Sequence, residues 1–125
     1  GYRNGPVYIK GAMHTPPRHE AVRDTMPVFF DLLKEEPEVS VRVVLGHFIF
    51  VYIHPYFDGN GRIARFLMNV MLASGNYPWT VIKMDKRAQY MSALEKASAG
   101  NDISDFAKFI GEQVSNSIDK KTELM

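Results

Sequence analysis

A nine-residue interruption decides what this chain can fold into. "HPYFDGNGR", residues 54–62, separates two apolar segments, "VRVVLGHFIFVYI" before it and "IARFLMNVMLASG" after it. Glycine inside a helix costs roughly 0.5–1 kcal/mol and proline about 3 kcal/mol or more, so no helix runs through this stretch. Two apolar helices must end and begin there. A plain connector would not need a His, an Asp, an Asn and an Arg packed so closely, all groups that bind protons, metals or anions.

The flanks set the architecture. Residues 38–53 are rich in β-branched and aromatic types, which favours a strand. Yet Val41, Val44, Leu45, Phe48 and Tyr52 keep a helical stripe over a length too great for a typical strand, so the spacing predicts a buried helix. Pro55 pushes His54 out of α geometry and ends that helix near Ile53. The next helix starts near Gly61, carries Ile63, Phe66, Leu67, Val70 and Met71 on one face, and stops at Gly75. Upstream, Val22, Met26, Phe29, Phe30 and Leu33 follow helical spacing from Glu20, with Pro27 expected to kink that helix or to move its start to Asp24 or Thr25. After a short extended connector, "YPWTVIKM", two more helices are expected. One, about 86–98, turns Ala88, Met91 and Leu94 inward; the other, about 102–118, turns Ile103, Phe106, Ile110 and Val114 inward. Residues 1–17 hold two short alternating pieces, "VYIK" and "AMHT", about Gly11, and read as a β-hairpin flap. The expected fold is all-α with a small N-terminal β-hairpin: flap 1–17, helical core 18–118 and a solvated tail 119–125.

Composition narrows the class. At 125 residues the chain is one domain. Fifteen basic against fourteen acidic residues leave a formal charge of +1, which argues against a nucleic-acid binder working through a basic surface. The absence of cysteine removes disulfides and thiolate metal sites and suits a reducing, cytoplasmic setting. Arg42, Gly46 and His47 break the longest apolar run, so no membrane span is expected. The polar, Gly-rich start, "GYRNGPVYIKG", is not a signal peptide. Seven Met and most aromatics read as core filling.

The chemistry of the interruption follows from its parts. A helix N-terminus offers unpaired N–H groups and the positive end of a dipole, hence an anion site. Gly59 and Gly61 let an anion approach without a Cβ in the way. Arg62 and Arg65, three apart, put two guanidinium forks beside those donors, enough for more than one phosphate. Asp58 is a hard oxygen ligand suited to a Mg²⁺ bridging phosphate oxygens. His54 is the group that can take a proton near neutral pH, and its place at a helix C-terminus is expected to favour the protonated form, so that activity falls on acidification. The set suggests displacement at phosphorus, which relies on positioning and charge stabilisation. "GNGRIA" also satisfies a dinucleotide fingerprint, but no strand leads into its first Gly. An EF-hand starting at Asp58 would need Gly and Glu where the chain has Ile63 and Asn69.

"HPYFDGNGRIAR", residues 54–65, resembles the signature of the Fic family, H-P-F-x-D-G-N-G-R-x-x-R, departing only at Tyr56. "VYIKGAMHTPP" is similar to the family's flap hairpin and "VLGHFIFVYIHP" to the helix that delivers its His, so the likeness covers roughly 7–110. The resemblance implies a protein adenylyltransferase that moves AMP from Mg-ATP to a Ser, Thr or Tyr hydroxyl of a target protein, releasing pyrophosphate. It implies His54 as general base and Asp58 as Mg²⁺ ligand. Gly59, Asn60 and Gly61 would be the anion cradle, with Arg62 and Arg65 on the phosphates. Tyr56 is tolerable if its hydroxyl finds a partner. Gly61 points to nucleotide transfer, because the family's phosphorylating Doc-type members carry Lys there. Transfer of UMP or phosphocholine, removal of AMP, or a module that binds nucleotide and protein without turnover are the alternatives.

Many family members are restrained by a helix bearing (S/T)-x-x-x-E-(G/N), whose Glu pairs with the second Arg. No Ser or Thr here has Glu four positions on. The expectation is a catalytic core lacking its N-terminal helices, with the inhibitory helix in a missing segment or supplied by an antitoxin-like partner. A homodimer is left open. The flap residues Val7, Tyr8, Ile9 and Lys10 would offer backbone groups to an extended target segment. His14, near the flap, and Tyr90, a candidate for an adenine pocket along with Trp79, are further site candidates whose plainer roles are polar surface and core. His47 reads as a hydrogen-bonded core histidine.

Overall fold

Helical periodicity is realised along most of the chain. The computed structural model describes residues 1–124 and contains α1 (His19–Glu35), α2 (Val39–Ile53), α3 (Asn60–Ser74), α4 (Arg87–Gly100) and α5 (Ser104–Leu124), with a 3₁₀ turn at Met84–Lys86 leading into α4. α2 and α3 form the most extensive helix pair and α4 and α5 the next. The buried residues fall into two clusters. Val22, Met26, Phe29 and Leu33 of α1 meet Phe50, Ile53 and Ala64. Val43, Met68 and Leu72 meet Tyr90, Leu94, Phe106, Phe109 and Ile110 of α4 and α5. α2 and α3 therefore stand between the two clusters, which is why α2 is apolar nearly all round.

α1 runs through Pro27. The proline neither starts the helix nor ends it: Met26 and Phe29 on either side are buried, and their packing outweighs one lost backbone bond. α3 ends in a Schellman motif whose left-handed residue is Asn76 (φ 63°), with Tyr77 N–H on Leu72 O at 2.9 Å and Asn76 N–H on Ala73 O at 3.0 Å. Gly75 serves a different need from the one the sequence suggested. A Cβ there would stand 2.8 and 2.9 Å from the two methyls of Val39. The 76–83 connector is fixed by Asn69, whose amide accepts from Thr80 N–H at 2.7 Å and donates to Thr80 O at 3.0 Å.

Three expectations are corrected. Residues 1–18 contain no strand, so the β-hairpin flap does not form. One backbone bond, Ala12 N–H to Ile9 O, closes a turn over Lys10 and Gly11 (φ 80°), and no ladder follows. The alternation in "VYIK" is real in burial, Val7 and Ile9 half-buried with Tyr8 and Lys10 exposed. Alternation without a partner strand gives an extended segment, and a lone hairpin is marginal in any case. At the other end the expected tail is helical: α5 continues to Leu124, exposed over 119–124, and Met125 lies outside the described residues. α1 starts at His19, ahead of the expected Glu20 or Asp24. No helix among the described residues is long and apolar enough to cross a membrane.

Candidate active site

The loop between α2 and α3 is bounded by two left-handed residues. His54 ends α2 at φ 52°, ψ 61°, and Gly59 precedes α3 at φ 75°, ψ 4°. Gly59 adopts this conformation freely; for a residue with a side chain the left-handed region costs about 1–3 kcal/mol and persists only where the surroundings enforce it. Asn60 ties the loop beyond His54. Its buried side-chain amide accepts from Tyr56 N–H and donates to Tyr56 O, both at 2.9 Å, closing the loop on itself. Pro55 is fully buried. The Tyr56 ring is half-buried, 5.6 Å from the ring of Tyr2 and 6.4 Å from that of Phe50, and its hydroxyl is not shut off from solvent.

The enforcement at His54 comes from Arg3, which the sequence did not single out. Its side chain is 3% exposed although Tyr2 and Asn4 beside it lie on the surface. Nε donates to His54 O at 2.6 Å, one terminal nitrogen to Gly5 O at 3.2 Å, and the other to Ile53 O at 3.2 Å and to Pro17 O. Its backbone N–H reaches Pro55 O at 2.8 Å. The last carbonyls of α2, which no helix can satisfy internally, thus find a guanidinium. No local pattern signals this, because the partners lie 50 and 51 positions away.

That arrangement reverses the electrostatic expectation for His54. Burial, then the positive charge of Arg3, then His14, hold its pKa below the ordinary imidazole value. Nδ1 is shut off from solvent and has no hydrogen-bond partner among the described residues. Nε2 is the nitrogen left for a substrate to reach. A neutral imidazole of this kind is a proton acceptor at neutral pH.

Across the loop, Asp58 and Gly59 are exposed, and the α3 N-terminus has no side-chain cap. Asn60 contributes its backbone there, its amide being spent on Tyr56. Arg62 is exposed, while Arg65 is half-buried and lies back over Gly61: a Cβ at Gly61 would be 3.0 Å from an Arg65 terminal nitrogen. Behind Arg65 stand His47, whose pKa burial and then the Arg65 charge lower, and Tyr90, whose pKa burial raises against the pull of Arg65. Tyr90 is 4% exposed and packs in the core between His47, Phe106 and Phe109. Its place is in the core behind Arg65. Trp79 is exposed and meets Phe66 edge-on at 6.1 Å. His14 stacks on Tyr52 at 4.1 Å, with Nε2 2.9 Å from Tyr52 O, and Met13 N–H donates to Glu95 at 2.8 Å. These contacts lay the extended segment across α2 and α4.

No cluster of three His, Asp or Glu side chains among the described residues could enclose a metal ion. Asp58 alone, exposed and in no ion pair among those residues, suits a cation that takes its remaining ligands from phosphate oxygens and water.

A helical scaffold with this loop between its two central helices is that of a Fic domain. Residues 1–72 match the model of the Fic/DOC family, and the chain belongs to that family. It is 37% identical over 122 residues to a protein named "Protein adenylyltransferase Fic" from Nematostella vectensis, covering 94% of this chain and 28% of that one. A relative of the same name from Drosophila willistoni is 36% identical, with 94% and 24% covered. The chain thus spans about a quarter of the length of these relatives. Among solved structures, Fic-1 of C. elegans superposes with a TM-score of 0.88 at 26% identity, covering 99% of this chain and 37% of that one. A Fic-domain protein of Bacteroides thetaiotaomicron gives 0.82 at 25%, covering 93% and 51%.

Proposed function

We propose that this domain transfers AMP from ATP to a hydroxyl of a target protein. The observation that supports the reading best is the loop itself. One short segment carries a neutral, half-buried His54 at one end and the uncapped N-terminus of α3 at the other. A base for a hydroxyl and a cradle for phosphates are thereby held in fixed relation. The target oxygen attacks the α-phosphorus and loses its proton to His54 Nε2. The bond from that phosphorus to the oxygen bridging the β-phosphate breaks, and pyrophosphate leaves. The N–H groups at the start of α3, with Gly59 and Gly61 bare of Cβ, receive phosphate oxygens. Arg62 and Arg65 hold the rest of the chain of phosphates. Mg²⁺ held by Asp58 would neutralise charge on the phosphate oxygens.

The extended segment 7–10 makes one backbone hydrogen bond among the described residues, in which Ile9 O accepts from Ala12 N–H. Its other groups are open to an extended stretch of target, which would be read through its main chain. Arg65, turned toward the cradle, is the point where a Glu from another segment or partner would compete with the γ-phosphate.

The test is label transfer in Mg²⁺ buffer with a cell lysate, using ATP labelled at the α- or the γ-phosphorus. The α-label should pass to protein and the γ-label should stay in pyrophosphate. Passage of the γ-label would make the domain a kinase, and no passage of either would make it a binding module. His54→Ala should lose transfer by roughly the 10²–10⁴-fold of general-base removal.

A further inference from the structure

The backbone of His54 sits where its own sequence does not put it. A residue before proline prefers an extended ψ of roughly 120–160°, whereas His54 has ψ 61° at positive φ. Asn60 closes the loop from Tyr56 onward and makes no side-chain hydrogen bond to His54 among the described residues. The groups that hold the His54 carbonyl and the one before it both belong to one side chain, at 2.6 and 3.2 Å.

We propose that Arg3 is the positioning residue of the base: its guanidinium ties the last two carbonyls of α2 to the N-terminal segment and so fixes the direction of the His54 imidazole. This rests on the reading of His54 given above. The shape of the tie is specific to arginine. Four carbonyls, from Gly5, Pro17, Ile53 and His54, converge on one planar fork from three stretches of chain. A guanidinium has five N–H donors in a rigid plane and serves such a set; an ammonium is a point charge and does not. Removing the fork leaves buried carbonyls without donors and lets ψ of His54 relax toward the extended range, swinging its side chain off the attack line. The hydrogen bonds of Arg3 among the described residues all go to carbonyls, two of them the last of α2, so its effect on the reaction passes through His54. The charged groups acting on His54 are Arg3 and His14, both from the N-terminal segment.

The experiment compares Arg3→Lys, Arg3→Ala and His54→Ala in the 125-residue chain. It reads α-label transfer to lysate protein at saturating and limiting ATP, together with the imidazole NMR resonances of His54 and His47. Misplacement of a reacting group by about 1 Å can cost 10²-fold, so both Arg3 variants should lose about that much rate at saturating ATP with half-saturating ATP unchanged. The His54 resonance should move while that of His47 stays. Methylguanidine should restore part of the rate to Arg3→Ala and none to Arg3→Lys, whose side chain blocks the cavity. A normal rate and an unmoved His54 resonance in Arg3→Lys would overturn the proposal. So would loss of helical circular dichroism in both variants, which would make Arg3 a residue of the fold alone. Full transfer by His54→Ala would remove the base assignment instead. If the wild-type chain transfers nothing, the functional reading falls, and the His54 resonance still decides the tie.

Discussion

His47 Nε2 lies 2.6 Å from the hydroxyl of Tyr90, and both side chains are closed off from solvent. The other ring nitrogen faces the sulfur of Met68 at 3.4 Å, a weak acceptor. Nδ1 therefore carries the hydrogen and Nε2 accepts from the Tyr90 hydroxyl, whose oxygen is left to face Arg65. Burial drives the Tyr90 pKa up to about 12 and the His47 pKa down to about 3, Arg65 opposing the first shift and adding to the second. Two uncharged polar groups in the core thus back the charged group on the site.

Acid stability should report His47. Its folded pKa of about 3 lies below the ordinary 6.5, so the unfolded chain binds the extra proton. The stabilisation is complete above pH 6.5 and is lost as pH falls toward about 3, on the order of a few kcal/mol. Urea midpoints taken across that range should fall steeply for the wild type and more gently for His47→Gln, which is the less stable of the two at neutral pH. Parallel slopes would show that other groups govern the acid transition.

Tyr90→Phe keeps the ring and removes the hydroxyl between His47 and Arg65. The lost partner should lower stability by about 1–3 kcal/mol. With Arg65 less firmly backed, half-saturating ATP should rise more than binding of AMP, which has no γ-phosphate for Arg65 to hold. Calorimetric titration with both nucleotides checks this; equal weakening would mean a general loosening of the core.

The acid limb of transfer should lie below the ordinary imidazole range. Protonation disables the base, and burial with Arg3 and His14 holds the His54 pKa down. A rate profile from about pH 5 to pH 8 should therefore reach half its plateau at a pH below 6.5. Arg3→Met, lacking the charge, should move the drop upward in whatever activity remains.

Gly75→Ala should destabilise by about 1–3 kcal/mol through overpacking, since its Cβ would meet both Val39 methyls inside 3.0 Å. The same change made with Val39→Ala should cost much less. Additive melting shifts in the double variant would show that the glycine is needed for its backbone.

The helices α1 to α5 were legible because apolar residues recur at helical spacing, and the site loop because its chemistry is contiguous from His54 to Arg65. The inward faces were legible only in part. α1 buries Val22, Met26, Phe29 and Leu33 and α5 buries Phe106 and Ile110 as expected. α2, however, buries Val43, Phe50 and Ile53 instead of the Val41–Tyr52 stripe. α3 buries Ala64, Met68 and Leu72 and leaves Ile63, Phe66 and Val70 exposed, and α4 leaves Ala88 and Met91 exposed. Apolar side chains surround these helices, and the spacing does not say which neighbour each face meets. What escaped reading depends on partners distant in sequence. "VYIK" alternates as a strand does, but whether a neighbour pairs with it is not written in the alternation. Asn76 takes the left-handed turn that Gly75 appeared made for, because Val39 claims the space at Gly75. Nothing local in the Gly-rich start marks Arg3, whose partners lie 50 and 51 positions on, and the protonation of His54 depends on where Arg3 sits.

The two halves of the loop also differ in when they can form. The Asn60 clamp joins residues four apart and can close as soon as the first turn of α3 winds. The Arg3 tie joins residues 50 and 51 apart, a closure with a greater entropic cost. On a ribosome adding roughly 5–20 residues per second, Arg3 is made several seconds before the carbonyls it will hold. A charged side chain waits in water without harm, where an apolar anchor would seek other company. The domain can thus wind its helices first and set the His54 backbone last.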